Sequence, residues 1–240
     1  MSNLSSSPLI LGLVAGWGLI TPGPAAAYDG LDSVVGGTLS GQVTLGTPPA
    51  KAAAHRVTKD HVSCGKSVPN ETYEIGADGG LGNVVVYLTE IDEGKKIGRP
   101  EAPLTNEACR FVPHVSGVPV GTRLVIGNGD VVLHNVHAYL DGKTIFNVAL
   151  PNRDSRVVKK LKKPGVVEIR CDAGHTWMRG WIVVTEHPYV TVTDGDGRFT
   201  LREVPAGTYT LTAWHEASGT KTTDELTVTA GGEAKTVITF

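Results

Sequence analysis

Only three cysteines and two methionines occur in 240 residues. Three cysteines are too few for a disulfide scaffold, and the odd number leaves at least one thiol over if the others pair within the chain. An excess of charge of one sign is also missing. The 22 basic and 24 acidic residues give a net charge of −2, without the basic surplus that nucleic-acid binders carry. No stretch beyond residue 27 is apolar for long enough to cross a bilayer as a helix. Long helical periodicity is absent. So are H-E-x-x-H, G-x-S-x-G and a phosphate-binding glycine loop, which leaves the chemistries those motifs carry without support. Disorder is excluded by what is present: 40% hydrophobic against 19% charged residues can bury real cores. The 30 glycines and 14 prolines are turn-rich without a period, which excludes collagen.

The longest apolar run, LILGLVAGWGLI at 9–20, is short for a membrane span. T-P-G-P ends it, and Ala25-Ala26-Ala27 supplies a small-residue cleavage site. Residues 1–27 therefore read as a secretory signal peptide, cut before Tyr28, although they contain no Lys or Arg. An uncut membrane anchor is the alternative. The mature chain is expected to be secreted or periplasmic, in an oxidising compartment, with no membrane span after cleavage.

The rest reads as all-β, in short β-branched runs between turn residues. Strands are expected at 38–45, 83–88, 123–127, 131–140, 166–171, 181–185, 189–193, 198–201, 207–214, 225–229 and 234–240. Between them lie turn signals such as Asp141-Gly142, Pro164-Gly165 and Asp194-Gly195-Asp196-Gly197. The polar stretch 93–103 reads as a connection. Segment 153–163, RDSRVVKKLKK, carries six basic residues against one acid. It reads first as a solvated hairpin or lysine-protected edge strand, and second as a docking patch for an acidic partner.

Chemistry concentrates in two places. Residues 165–184 read GVVEIRCDAGHTWMRGWIVV. Alternation puts Val167, Ile169 and Cys171 on one face of a strand, with His175 four residues on and Met178 three after that. A thiolate, an imidazole and a thioether from one loop suit copper, whose sites combine two His and a Cys with a weak axial Met. The second imidazole must come from elsewhere. In DVVLHNVHAYL, 130–140, His134 shares a face with Val132 and Val136, whereas His137 points away with Asn135 and Tyr139. Singly, Met178 would be core filler and Cys171 an inert buried thiol.

Residues 111–140, FVPHVSGVPVGTRLVIGNGDVVLHNVHAYL, resemble the first half of a cupredoxin. That family has an F-x-P start, a V-x-x-G strand and an N-x-D turn before a His-Asn-Val ligand segment. Its other ligands follow as Cys-x(2–4)-His-x(2–4)-Met. The resemblance covers about 75 residues. It implies one mononuclear copper site with His134, Cys171, His175 and axial Met178, and Asn135 as the residue tying the ligand strand to the Cys-bearing segment. The dinuclear loop of cytochrome oxidase subunit II would need a second cysteine where Val167 stands. Trp177 and Trp181 flank the loop, as shields or as core packing. His114 and His137 are left outside the ligand set.

Cysteine parity agrees. Cys64 and Cys109 lie in polar contexts, and an exported protein is expected to pair them, leaving Cys171 free. Residues 189–240 contain TVTDGDGRFTLREVPAGTYTLTAWHE, which resembles the carboxypeptidase regulatory-like, or transthyretin-like, module. Fifty residues are short for a whole sandwich, and the S-G-x-V at 40–43 resembles its first strand. Strand 83–88 would be either its next strand or the start of the cupredoxin. The expected organisation is a signal peptide at 1–27, N-terminal strands at 28–103, a cupredoxin at 104–186 and the regulatory-like module at 187–240. The fold class these resemblances imply is all-β: a Greek-key cupredoxin sandwich plus a smaller transthyretin-like sandwich, with the first inserted into the second or packed on it. Asp194–Gly197 lacks the further acids of a calcium loop. Nothing in the sequence fixes His187 and His215 together, and they read as interface residues.

This pattern implies an exported one-electron carrier, not an enzyme, with a redox protein partner such as a cytochrome or dehydrogenase. The alternative is a non-redox copper-binding or structural accessory protein that works through its transthyretin-like module. A copper enzyme is a weaker third reading, because multicopper catalysis needs further His clusters at paired spacing and the chain has only eight histidines.

Overall fold

The computed structural model describes residues 28–50 and 52–240. The expected signal peptide lies outside the described residues. Among the described residues, no helix is long and apolar enough to cross a membrane. Period-two patterning organises what is described. In strand Arg198–Pro205, Phe199 and Leu201 are buried while Arg198, Thr200 and Arg202 face solvent. Glu203, at φ 57°, is an extra residue where the register with Gly36–Thr44 shifts, and Val204 then turns back into the core. The bulge explains why this strand runs on to Pro205, past its expected end at 201.

One sandwich pairs a five-stranded with a four-stranded sheet. The first runs Lys143–Leu150, His134–Leu140, Gly165–Arg170, Arg179–Thr185, Val115–Pro119; the second runs Arg156–Lys160, Arg123–Asn128, Glu101–Glu107, Arg110–Val112. Leu104, Leu124, Ile126, Val136, Leu150, Ile169 and Ile182 fill the space between them. The basic segment forms the edge strand Arg156–Lys160, as its first reading expects. The stretch 93–103 is not simply a connection. Glu93–Lys95 pairs in parallel with Asp29–Leu31, and Glu101–Glu107 begins within it. Pro103 hid that strand. It pairs with Val125 on one side, while the neighbour on the other side reaches only Thr105–Glu107, so its missing N–H leaves no ladder bond unmade. Lys143–Leu150 was also not expected: it is an edge strand with most side chains exposed, so its apolar alternation is faint.

The second sandwich draws on both ends of the chain. Gly36–Thr44 lies between Arg198–Pro205 and Glu233–Thr239, and Val85–Leu88 lies between Val190–Val192 and Leu211–His215. The Asn83–Leu88 region therefore pairs with the C-terminal strands and does not open the other sandwich. Leu39, Val86, Leu88, Phe199, Leu201, Leu211 and Ala213 form its core. The 101–185 sandwich is inserted between its strands. The two meet through Val85, Val115 and Val183, with Trp181 against Trp214. Glu216 accepts a hydrogen bond from Trp181 Nε1 at 2.8 Å and pairs with His114.

Candidate metal centre

The His-bearing strand begins at His134, three residues later than expected, because the turn before it is occupied by its own polar groups. Asn128, buried, donates from Nδ2 to the carbonyls of Val132 and Leu150, both at 3.0 Å, and its Oδ1 accepts from Asp130 N–H. From there His134, Val136, Ala138 and Leu140 face the core, while His137 and Tyr139 are on the other face. The register irregularity with the neighbouring strand falls between Ala138 and Tyr139, beyond His134–His137, so it does not re-aim His134.

His137 pairs with Arg170 across the sheet, which brings Cys171, the next residue, to the strand end beside His134. The loop then folds back, and Met178 N–H donates to His175 O at 2.9 Å. His134 Nδ1 lies 3.9 Å and His175 Nδ1 3.6 Å from Cys171 Sγ. The three donor atoms all lie within 4.8 Å of one another. Both imidazoles are fully buried and Cys171 nearly so. Metal–nitrogen bonds of ~2.0–2.1 Å and a metal–sulfur bond of ~2.3 Å at a trigonal angle would separate N and S by ~3.8 Å. The two observed Sγ–Nδ1 separations bracket that figure, so the spacing of these donors is that of a metal-binding set. Met178 is buried in the same core as Cys171.

Proton placement favours ligation. Burial, above all, lowers the His134 pKa despite the neighbouring Asp130, keeping the ring neutral. Asp130 accepts from His134 Nε2–H at 2.9 Å, which leaves the Nδ1 lone pair facing sulfur. His175 is held in the same way: its Nε2–H donates to Asp60 at 2.9 Å. Burial raises the Cys171 thiol, and backbone N–H groups of Asn135, Ala173 and His175 partly offset it. A bound cation would remove that proton outright. Asn135 Oδ1 accepts the N–H groups of Asp172 at 2.5 Å and Ala173 at 3.1 Å, joining the His134-bearing strand to the Cys-bearing loop.

His137 is engaged elsewhere, with Asp172 at Nδ1 and Thr144 at Nε2. Trp177 stands edge-on to His175, with ring centroids 5.2 Å apart, and donates to Cys109 O. Trp181 does not flank the site; it belongs to the contact between sandwiches. Cys64 and Cys109 are bridged and Cys171 is free. His187 and His215 serve separate purposes: His187 Nε2 donates to Leu88 O, and His215 Nδ1 accepts from Ser218 N–H. Sequence reading missed Asp130 and Asp60. Asp130, four residues before His134, was legible as a partner; Asp60, 115 residues from His175, carries no local signal.

Residues 181–240 match the family model of the carboxypeptidase regulatory-like domain. No curated protein matches the chain. Solved structures similar to it include a purple cupredoxin from Nitrosopumilus maritimus, 29% identical, covering 35% of this chain and 99% of that one at a TM-score of 0.31. A Cu-containing nitrite reductase from Thermus scotoductus SA-01 is 22% identical, covering 42% of this chain and 25% of that one, with a TM-score of 0.32. A reduced amicyanin mutant is 20% identical over 35% of this chain and 81% of its own, at 0.31.

Proposed function

We propose that this protein is an exported copper protein that carries one electron at a time, with His134, Cys171 and His175 holding one copper ion and Met178 as a weak axial donor. The observation that carries this reading is the convergence of two bare Nδ1 atoms and one sulfur in a dry cluster. Two His, one Cys and a distant Met is the donor set of blue-copper centres. The copper would supply the one-electron couple. The chain supplies a rigid cradle: Asn135 fixes the loop to the strand, Asp130 and Asp60 fix the rings, and Trp177 covers His175. Because two strands and a disulfide hold these groups, they need move little between oxidation states. The function is a carrier's and not an enzyme's, and its partner is a redox protein, a cytochrome or a dehydrogenase, in a periplasmic or extracellular space.

The lysine-rich edge is a poor place for that partner. Its groove, about 420 Å³, is lined by Leu140, Ile145 and Lys159 to Lys163. Leu140 is six strand residues from His134, or ~20 Å at the rise of a β-strand.

The family match over residues 181–240 favours a second reading, a copper-binding or structural accessory that works through that module. Voltammetry of the copper-loaded protein separates the two. Fast reversible cycling supports the carrier; sluggish cycling with ready transfer of copper to an acceptor protein supports the accessory.

A further inference from the structure

Each imidazole of the cluster is held from behind by a carboxylate, and the two carboxylates are reached from opposite ends of one disulfide. Asp130 is the local one. Its Oδ1 accepts from Ala108 N–H at 2.9 Å, and its Oδ2 from Cys109 N–H at 2.8 Å and from His134. Ala108 and Cys109 both have left-handed backbones, at φ 49° and 54°. That conformation points successive amides at one anion. Asp60 is the remote one. It precedes the single-turn helix His61–Cys64, with φ 54° and ψ 41°, and its side chain makes no capping bond. An aspartate in that place ordinarily caps its own helix. Here its carboxylate is turned to His175 instead, while its carbonyl accepts from Ser63 and Cys64 N–H at 2.9 Å each. A left-handed backbone favours glycine, with Asp and Asn the side chains that best tolerate it. Lys59 Nζ adds a second tie from the same segment to the ligand loop, donating to Ala173 O at 2.6 Å.

The ladder of this segment is the two-residue pairing of His55–Arg56 with Ser67–Val68, carried one step on by Val57 N–H to Lys66 O at 3.1 Å, and Val57, Cys64 and Val68 enter the core. The Cys64–Cys109 bridge, Cα–Cα 5.3 Å, joins it to the turn that holds Asp130.

We propose that Asp60 and Asp130 are positioning residues for the two imidazoles, and that the Cys64–Cys109 disulfide clamps both of them against the site. This rests on the metal-site reading but has a readout without metal. Carboxylates behind ligating histidines fix the ring and its tautomer, and their removal lowers metal affinity roughly 10–100-fold.

The test compares wild type with Asp60→Ala, Asp60→Asn and the Cys64→Ser/Cys109→Ser pair. In the metal-free proteins, imidazole ¹⁵N shifts should show His175 of the wild type as the Nε2–H tautomer. Asp60→Ala should average its two nitrogens, and Asp60→Asn, which can still accept that bond, should restore the pattern. Cu affinity by chelator competition should fall roughly 10–100-fold in Asp60→Ala. It should fall at least as far in the double serine variant, with Asp60→Asn close to wild type. Unchanged His175 shifts and unchanged affinity in Asp60→Ala would overturn the proposal. So would a folded double serine variant with wild-type affinity; if that variant does not fold, the Asp60 pair decides. A wild type that takes up no copper would sink the functional reading alone, because the metal-free shifts still judge Asp60.

Discussion

Both sandwiches bury histidines, and they use them differently. In the 101–185 sandwich, His134 and His175 have their Nε2 atoms on carboxylates and their Nδ1 atoms turned toward one sulfur. In the other, His187 Nε2 donates to a backbone carbonyl of a neighbouring strand and His215 Nδ1 accepts from Ser218 N–H in the turn that follows it, and among the described residues neither belongs to a cluster of metal-binding side chains. A buried imidazole held by backbone groups and a local hydroxyl, as these two are, is a strut. One that is braced by a carboxylate on one nitrogen and turns the other toward a second donor has the geometry of a ligand, which the unpaired Nε2 of His215 lacks. The difference lies in what the second nitrogen faces, and burial alone does not tell it.

The largest effect expected from this contrast is on colour. Cys171→Ser should abolish the visible thiolate charge-transfer band of the copper-loaded protein, and His134→Ala or His175→Ala should weaken or lose it. His137→Ala and His187→Ala should leave it in place. Absorption spectra of purified variants check this. If His137→Ala removes the band and His134→Ala does not, the assignment of strand faces is wrong.

A core truncation in the second sandwich sharpens the comparison from the other side. Leu211 is fully buried there, so Leu211→Ala should cost about 2–5 kcal/mol of stability. Denaturant unfolding should show that loss, while the band of the folded fraction stays unchanged. A band lost in step with that truncation would mean that the two sandwiches do not act separately.

Met178 should have a subtler effect. Met178→Leu should retain copper and colour but raise the reduction potential, since a weaker axial donor disfavours Cu(II). Voltammetry decides, and an unchanged potential would remove Met178 from the ligand set.

The smallest effects are on pH dependence. Burial lowers the pKa of His187 and His215, with backbone carbonyls and acids only partly opposing it. Their contribution to stability is intact above the unfolded value of about 6.5 and is lost as pH falls below it, through the lowered folded values. His114 runs the other way. Burial would lower it, but the Glu216 contact, with Glu71 and a backbone carbonyl, holds it raised. Its contribution is fully present below about pH 6.5 and is lost as pH rises through the raised folded value. Melting temperature followed across pH 5–8 should therefore show less acid loss in His187→Gln and less alkaline loss in His114→Gln. Parallel profiles for both variants and wild type would contradict this.

The strands that bury an alternating face, such as Arg123–Asn128 and Leu211–His215, could be read from the sequence because their pattern is set by their own residues. So could His134, Cys171 and His175, whose spacing is local to two segments, and the disulfide, which followed from parity and compartment. Lys143–Leu150 was not legible, because an edge strand with exposed faces has no pattern to offer. Trp181 was misplaced because its position next to the loop in sequence says nothing of the face it takes on the strand Arg179–Thr185. Asp60 was out of reach for a different reason. Its partner lies 115 residues away, and its role shows only where a left-handed backbone and an uncapped helix meet His175.

One titration decides most directly whether the buried His134, Cys171 and His175 cluster is a copper centre. Metal-free protein titrated with Cu(II), followed by visible absorption and electron paramagnetic resonance, should reach its end point at one copper per chain. An intense visible band should grow in proportion and be missing in Cys171→Ser. No uptake, or uptake with a band that survives Cys171→Ser, would contradict a centre built on His134, Cys171 and His175.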